Sequence, residues 1–161
     1  MRAWDDYKQT ASKENPIFDW AREGYLPELA ALILTKETIN VKDQKGYSPL
    51  MLAAYHGHPA VCESFLQQGA NVNEVDFSGS SILMGASFKG HLAVVELLVK
   101  WGADIQYKNG KGQDALDFAQ MFGRAEVAKF LKTKQNQAGV FGVLDFIQGW
   151  SSVFSFKGER K

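Results

Sequence analysis

Catalysis or metal binding in this sequence would fall to three histidines and one cysteine, the side chains best suited to such chemistry. His56 and His58 are two positions apart, so they would not share a helix face, and they make a poor metal pair. His58 and His91 each directly follow a glycine. Cys62 lies next to Val61, where a buried small side chain is favoured over a reactive thiol. None of these residues belongs to a recognisable catalytic group.

The motifs of the common enzyme classes are missing from the sequence. It contains no G-x-S-x-G, H-E-x-x-H or P-loop pattern, so we predict a protein that is not an enzyme. One cysteine excludes an intrachain disulfide framework and a thiolate zinc cluster, and we expect neither metal nor cofactor. The 18 basic and 18 acidic residues balance. A nucleic-acid binder carries a basic excess, so we expect no nucleic-acid partner.

Length and composition are those of one ordinary globular domain. The chain has 161 residues, of which 45% are hydrophobic and 22% charged. Its first ten residues include early acids and lack the apolar core of a signal peptide. No apolar run approaches the ~18 residues that a membrane-spanning helix needs. We therefore expect a cytoplasmic location.

The elements that position these side chains repeat along the chain. Several independent features recur with one spacing of 33 residues, which makes the repeat a strong signal. The recurring residues are Asp43, Asp76 and Asn109; Gly46, Gly79 and Gly112; and Gly57, Gly90 and Gly123.

Each repeated unit has the pattern of a polar turn followed by two short helices. The turn glycines can adopt a left-handed backbone at little cost. In the first unit we predict helices over residues 50–55 and 58–67, with Pro49 at the first helical position. One such pair cannot enclose its own apolar face, so it must stack on its neighbours. The residues at the predicted N-cap positions, where a side-chain oxygen can accept from a free amide, are Ser48, Ser81 and Asp114.

This pattern of turn, helix pair and G-A-x-V-N loop resembles the ankyrin repeat. The resemblance covers about residues 16–133 and is closest in the first unit, in Asp43-Gln-Lys-Gly-Tyr-Ser-Pro-Leu and Ala53-Ala-Tyr-His-Gly-His. The second unit has Ile82 where proline is usual, and the third lacks the proline and the final loop. Three residues replace the histidine of the family's T-P-L-H element: Met51, Met84 and Asp117.

The resemblance implies an all-α solenoid whose units are joined by hydrogen bonds from His58 and His91. Upstream, residues 17–24 and 29–33 fit a further helix pair with a degraded turn, as expected of a terminal cap. The segments that follow from the register are an N-terminal extension (1–15), a capping helix pair (16–42), three repeats (43–75, 76–108 and a truncated 109–133), and a linker with an amphipathic helical cap (134–161).

The resemblance also implies one concave face, formed by the turn tips and the ends of the first helices. Six of the eighteen positions that the register carries there are aromatic, against 12% of the whole chain. Aromatic side chains are typical of binding hot spots, and the interleaved lysines indicate a protein partner with some acidic groups. Whether the role is that of an adaptor, an inhibitor or an immunity protein stays open. The predicted site residues are Lys45, Tyr47, Tyr55, His56, Phe77, Phe88, Lys89, Trp101, Lys111, Met121 and Phe122.

A second hypothesis is a haem or small-ligand carrier. Short ankyrin-like proteins in bacteria include some linked to catalase maturation, and here His56, Tyr47 and Tyr55 could supply axial ligands beside an aromatic wall. Nothing in the spacing requires a haem site. Partner binding is therefore the favoured function.

The C-terminal stretch allows three interpretations. Residues 132–138 are polar and predict a linker, while residues 140–154 place apolar side chains at three- and four-residue steps. This segment could cap the last repeat, bind a partner, or lie on a membrane surface, and the cap is favoured. Membrane contact is disfavoured because only Lys157, Arg160 and Lys161 supply basic charge. We expect a monomer, or a weak homodimer if the segment leaves the end of the stack uncovered.

Overall fold

A computed structural model of the chain describes residues 16–25 and 36–137. Within these ranges the secondary structure is helical, apart from an isolated β-bridge between Val75 and Ser81. The helices are α1 (Pro16–Glu23), α2 (Lys36–Ile39), α3 (Pro49–His56), α4 (Pro59–Gln67), α5 (Ile82–Lys89), α6 (Leu92–Lys100), α7 (Ala115–Met121) and α8 (125–137).

The turn before each helix pair is closed by the polar side chain at its first position. In the first turn, Asp43 Oδ1 accepts hydrogen bonds from the amides of Lys45 and Tyr47, each at 2.9 Å. Gly46 follows with φ +82°, and a Cβ there would lie 2.7 Å from the amide nitrogen of Phe77 in the next turn. Only glycine combines that backbone conformation with that close approach. In the second and third turns, Oδ1 of Asp76 and Oδ1 of Asn109 likewise accept from the amides two and four residues later.

The predicted N-caps are confirmed. Side-chain oxygens of Ser48, Ser81 and Asp114 accept from the backbone amide three residues later, at 3.3, 3.2 and 2.9 Å. These bonds satisfy donors that have no partner inside the helix. Pro49 lies in the first turn of α3, as predicted. Helices α3 and α4 each begin within one residue of the predicted starts at positions 50 and 58.

Each unit is joined to the preceding one by the side chain that follows the helix-terminating glycine. Nε2 of His58 donates to the carbonyl oxygen of Arg22 at 2.8 Å, and Nε2 of His91 donates to that of Tyr55 at 3.1 Å. Because a carbonyl oxygen only accepts, Nε2 carries the proton in both imidazoles. The structural role expected of these histidines is confirmed, and Arg124 occupies the same place in the third unit.

The helices form two layers. The first helices α1, α3, α5 and α7 pack side by side, and the second helices α4 and α6 pack on each other and on their own partners. Apolar side chains fill the space between the layers, and Cys62 is completely buried among them. The largest fully buried side chains are Phe65, Ile39, Leu50, Ile82, Leu83, Met84, Leu98, Leu131, Val61, Val94 and Val95.

One prediction about the third unit is wrong. Residues 132–137, expected as part of a linker, continue α8. Lysine and glutamine are good helix formers, so a polar stretch need not interrupt a helix. Tertiary contacts hold this end, since Gln135 Nε2 donates to the carbonyl oxygen of Ile105 and to Oδ2 of Asp114, at 3.3 and 3.2 Å.

Three predicted segments lie outside the described residues. They are the N-terminal extension (1–15), the second helix of the capping pair near 29–33, and the amphipathic segment 140–154. Among the helices that are described, none combines the length and the apolar character needed to cross a membrane.

Candidate functional site

An open groove of about 680 Å³ runs along the first-helix layer. Its walls come from α1, α3, α5, α7 and the turns before α3 and α5, whereas α4, α6 and the described part of α8 contribute no lining residue. We refer to this surface as the groove. The predicted site residues that line it are Lys45, Tyr47, Tyr55, His56 and Phe88.

Three aromatic rings form a row across three successive units at the ends of the first helices. Tyr55 and Phe88 stack with ring centroids 6.1 Å apart and an interplanar angle of 16°. Phe88 in turn meets Phe122 edge-on, with centroids 4.4 Å apart and an angle of 81°. We call Tyr55, Phe88 and Phe122 the aromatic row. Tyr55 is 36% and Phe122 43% exposed, so the row presents apolar surface to a ligand.

Lys89 and His56 lie against the first ring of the aromatic row. Lys89 Nζ is 4.8 Å from the Tyr55 ring centroid, a cation–π distance. The His56 ring meets Tyr55 at 5.5 Å and 72° and lies parallel to that of His58 at 6.5 Å. Burial lowers the pKa of His56, and the nearby His58, Lys89 and Arg22 lower it further. The imidazole of His56 is therefore uncharged at neutral pH.

Tyr47 lies half-buried at the base of the groove. Burial raises the pKa of its phenol, and the neighbouring Asp76 and Asp43 carboxylates raise it further. The phenol thus stays protonated at neutral pH. Because metal ligands bind in their deprotonated form, this pKa shift disfavours Tyr47 as an axial ligand to haem iron. Within the described ranges no three histidine, cysteine or acidic side chains converge as a metal site requires.

Six predicted site residues do not line the groove: Lys89 and Phe122, which lie beside it against Tyr55 and Phe88, and four that lie farther along the chain's turns and helix ends. Phe77 and Lys111 occupy the tips of the second and third turns, and Phe77 is 73% exposed. Met121 is the last residue of α7 and is 59% exposed. Trp101 caps the C-terminus of α6 and is 39% exposed. Its assignment to the concave face is corrected, because α6 belongs to the second-helix layer.

Sequence reasoning missed a notch in the floor of the groove. Gly85, in the middle of α5, lines the groove between Leu52 of α3 and Phe118 of α7, which hold the same position in their units. A Cβ at Gly85 would lie 3.7 Å from Cδ2 of Tyr55, an ordinary contact distance, so the space above Gly85 holds a Cβ without a clash and is bordered by the Tyr55 ring. We call this space the Gly85 notch. Comparing residues 52, 85 and 118 at the 33-residue spacing could have revealed it.

The sequence of these stacked units matches a known repeat family. A family model described as "Ankyrin repeats (3 copies)" matches residues 17–109, more than half of the chain. The chain belongs to the ankyrin-repeat family. The ankyrin-repeat match begins within α1, the helix predicted as part of a cap, and ends at the third turn. Ankyrin repeats are generally protein–protein interaction modules, and proteins of the family are typically non-catalytic.

Curated ankyrin-repeat proteins show local similarity to the chain. "Ankyrin repeat family A protein 2" of Homo sapiens and of Bos taurus is 42% identical over 55 residues, which is 34% of this chain and 18% of the relative. The Mus musculus protein of the same name is 45% identical over 51 residues, covering 32% of this chain and 16% of the relative. The chain thus aligns with less than a fifth of each relative's length.

Proposed function

We propose that this chain is a non-catalytic module that recognises another protein through the groove. The observation that carries the proposal is the aromatic row, because it sets contiguous apolar rings at the surface of three successive units. Burying one such side chain in an interface stabilises a complex by about 1.5–3 kcal/mol. Exposed aromatic clusters of this kind are typical of binding hot spots.

The shape of the surface supports a protein segment as the ligand rather than a small molecule. The groove is open and crosses α1, α3, α5 and α7, so its length follows the stacking direction of the repeats. Stacked repeats present such a surface without reorganising a loop. An adaptor, an inhibitor and an immunity protein would each use it in the same way.

Affinity capture from the native cell, followed by mass spectrometry, tests this function. The bait proteins are the wild type, Gly85→Leu, which fills the notch, and Phe88→Ala, which breaks the aromatic row. Gly85→Leu adds a side chain rather than removing one, and α3 and α7 already carry Leu52 and Phe118 at this position. Trp101→Ala serves as the matched control, since it removes an exposed aromatic residue outside the groove.

The expected result is a protein captured by the wild type and by Trp101→Ala but lost with both groove variants. Direct binding of the purified pair then confirms the interaction. Circular dichroism and thermal melting establish that each bait is folded. A protein held equally by all four baits would place binding outside the groove and contradict the proposal. Loss with Trp101→Ala alone would transfer the site to the second-helix layer.

A further inference from the structure

The groove contains two aspartates, and the first is already engaged by its own turn. Asp43 Oδ1 accepts from the amides of Lys45 and Tyr47, each at 2.9 Å, and the Arg22 guanidinium lies 3.6 Å from Oδ2. The Asp43 side chain is only 7% exposed. A ligand at this end of the groove therefore meets little free negative charge.

The second aspartate is engaged in a similar way. Asp76 Oδ1 accepts from the amides of Ser78 and Ser80 at 2.8 and 2.9 Å and from the Ser78 hydroxyl at 2.7 Å. An oxygen that accepts three hydrogen bonds has little capacity for another donor. Oδ1 of Asp76 thus serves to close its turn.

The lysines bordering the groove have no such internal partners. The ammonium groups of Lys45 and Lys89 form no hydrogen bond or ion pair with any residue in the described parts of the chain. Lys45 lies on the first turn and lines the groove, and Lys89 lies over the ring of Tyr55, which also lines it. A carboxylate on a ligand could pair with either ammonium group without breaking an existing ion pair.

Part of the groove lining is apolar, and Gly85 contributes no side chain to it. This apolar part is formed by Met51, Leu52, Met84 and Phe118, and it includes the Gly85 notch. A Cβ at Gly85 would still lie at ordinary contact distance from Tyr55. An aliphatic or aromatic side chain entering the notch would therefore be enclosed by apolar neighbours.

We propose that the groove selects a segment of another protein that places an aliphatic or aromatic side chain in the Gly85 notch and directs acidic side chains toward Lys45 and Lys89. This inference rests on the proposed function, because it specifies the partner chemistry for the same groove. Charge complementarity favours this choice, because Oδ1 of each groove aspartate is held by its own turn, whereas the two lysine ammonium groups form no hydrogen bond or ion pair in the described parts of the chain. A basic segment would face two uncompensated ammonium groups, which lowers both association rate and affinity.

Selection of random dodecapeptides displayed on phage tests the inference with a defined probe set. The targets are the wild-type chain, Gly85→Leu, the double variant Lys45→Glu/Lys89→Glu and the control Trp101→Ala. Both lysines are exposed and form no hydrogen bond or ion pair in the described parts of the chain, and the cation–π contact of Lys89 with Tyr55 is at the surface, so we expect their exchange to leave the fold intact. Gly85→Ala adds only a methyl group to the notch and is the conservative control for Gly85→Leu. Synthetic peptides from the selection are then titrated by fluorescence anisotropy.

The expected peptides carry aspartate or glutamate beside an aliphatic or aromatic residue and bind the wild type and Trp101→Ala with equal affinity. Gly85→Leu should weaken them at least about tenfold, as expected for loss of an anchor side chain. Lys45→Glu/Lys89→Glu should reverse the selection, so that lysine and arginine replace the acidic residues. Raising the salt concentration should weaken binding to the wild type, because exposed charge pairs are screened.

Several results would overturn the inference, and they separate it from the proposed function. Peptides without acidic residues that still lose binding in Gly85→Leu would contradict the charge preference and leave groove binding intact. If Lys45→Glu/Lys89→Glu selected the same acidic peptides as the wild type, the charge preference would likewise be contradicted and groove binding would stay intact. Peptides that bind Gly85→Leu and the wild type equally would contradict this inference, whereas the proposed function is contradicted by a partner that all four baits capture equally. Absence of any enriched peptide would contradict only this inference, since cellular capture tests the function independently.

Discussion

The rings of Phe122 and Phe88 meet edge-on at a centroid distance of 4.4 Å, although the 33-residue spacing pairs Phe88 with Met121. Helix length explains the difference. In the first two units the first helix ends at His56 and Lys89, but α7 ends one position earlier in the register, at Met121. Phe122 is therefore a capping residue with φ −102° and ψ 13°. Leaving the helix one residue early turns its ring back toward α5.

Shortening Phe122 should therefore weaken both fold and binding, whereas shortening Met121 should not. Phe122→Ala removes an aromatic pair, and we expect it to lower the free energy of unfolding by about 0.5–1.5 kcal/mol. Met121 is 59% exposed, so Met121→Ala should change it by less than about 0.5 kcal/mol. Urea denaturation measures both values. Equal effects of the two substitutions would show that the edge-on contact contributes nothing specific.

The sequence period was sufficient to predict the turns and the N-caps, and the resemblance to the ankyrin repeat predicted the histidines that join the units. Each of these depends on contacts within one unit or with its equivalent neighbour, so the same residue types recur at the same spacing. Ser48 and Ser81, for example, cap their helices with the same bond to the amide three residues on. Local rules and repetition together determine such features.

The groove was only partly predictable, because its shape depends on departures from the repeat. The Gly85 notch exists because one unit lacks the side chain that its neighbours have, and Phe122 joins the aromatic row because one helix is shorter. Trp101 was misplaced because the end of a second helix was assigned to the first-helix face. Polarity alone predicts a linker over residues 132–137, whereas contacts made by Gln135 hold them in a helix.

His91 should be replaceable by arginine but not by alanine. Its ring fills the space beside Gly57 and donates to the Tyr55 carbonyl at 3.1 Å, and Arg124 does the same beside Gly90 with a bond of 2.9 Å to Phe88. His91→Ala loses this hydrogen bond and should destabilise the fold by about 1 kcal/mol or more. His91→Arg should retain most of the stability. Midpoints of urea denaturation at fixed pH compare the two variants. Equal losses of stability in His91→Ala and His91→Arg would show that arginine cannot replace the histidine.

The His56 imidazole should make stability fall on acidification. Burial, then the charges of His58, Lys89, Arg22 and His91, lowers its pKa in the folded state below the ordinary value of 6.5. Between these two pKa values the unfolded chain binds more protons, so the free energy of unfolding decreases as pH falls from about 6.5 through the lowered pKa.

The variant His56→Gln isolates this effect from the other histidines. At neutral and higher pH, the free energy of unfolding of His56→Gln should differ from that of the wild type by a constant amount. Below about pH 6.5 the wild type should lose stability faster, because only it takes up a proton at this position on unfolding. Urea denaturation across the pH range gives the comparison. Parallel curves for the two proteins throughout would show that His56 has the same pKa in both states.

Cys62 should react with thiol reagents only when the fold opens. Its side chain is fully buried, and burial raises the pKa of the thiol to about 12. Thiolate is the reacting species, so labelling at about pH 8 should be very slow in buffer and rapid in denaturing urea. A Trp101→Cys substitution in a Cys62→Ala background supplies the control, since Trp101 is exposed and its replacement thiol should react at once. Fast labelling of Cys62 in the folded wild type would mean that α4 separates from α6 far more often than this packing allows. That result would contradict the tight burial of Cys62 in the second-helix layer.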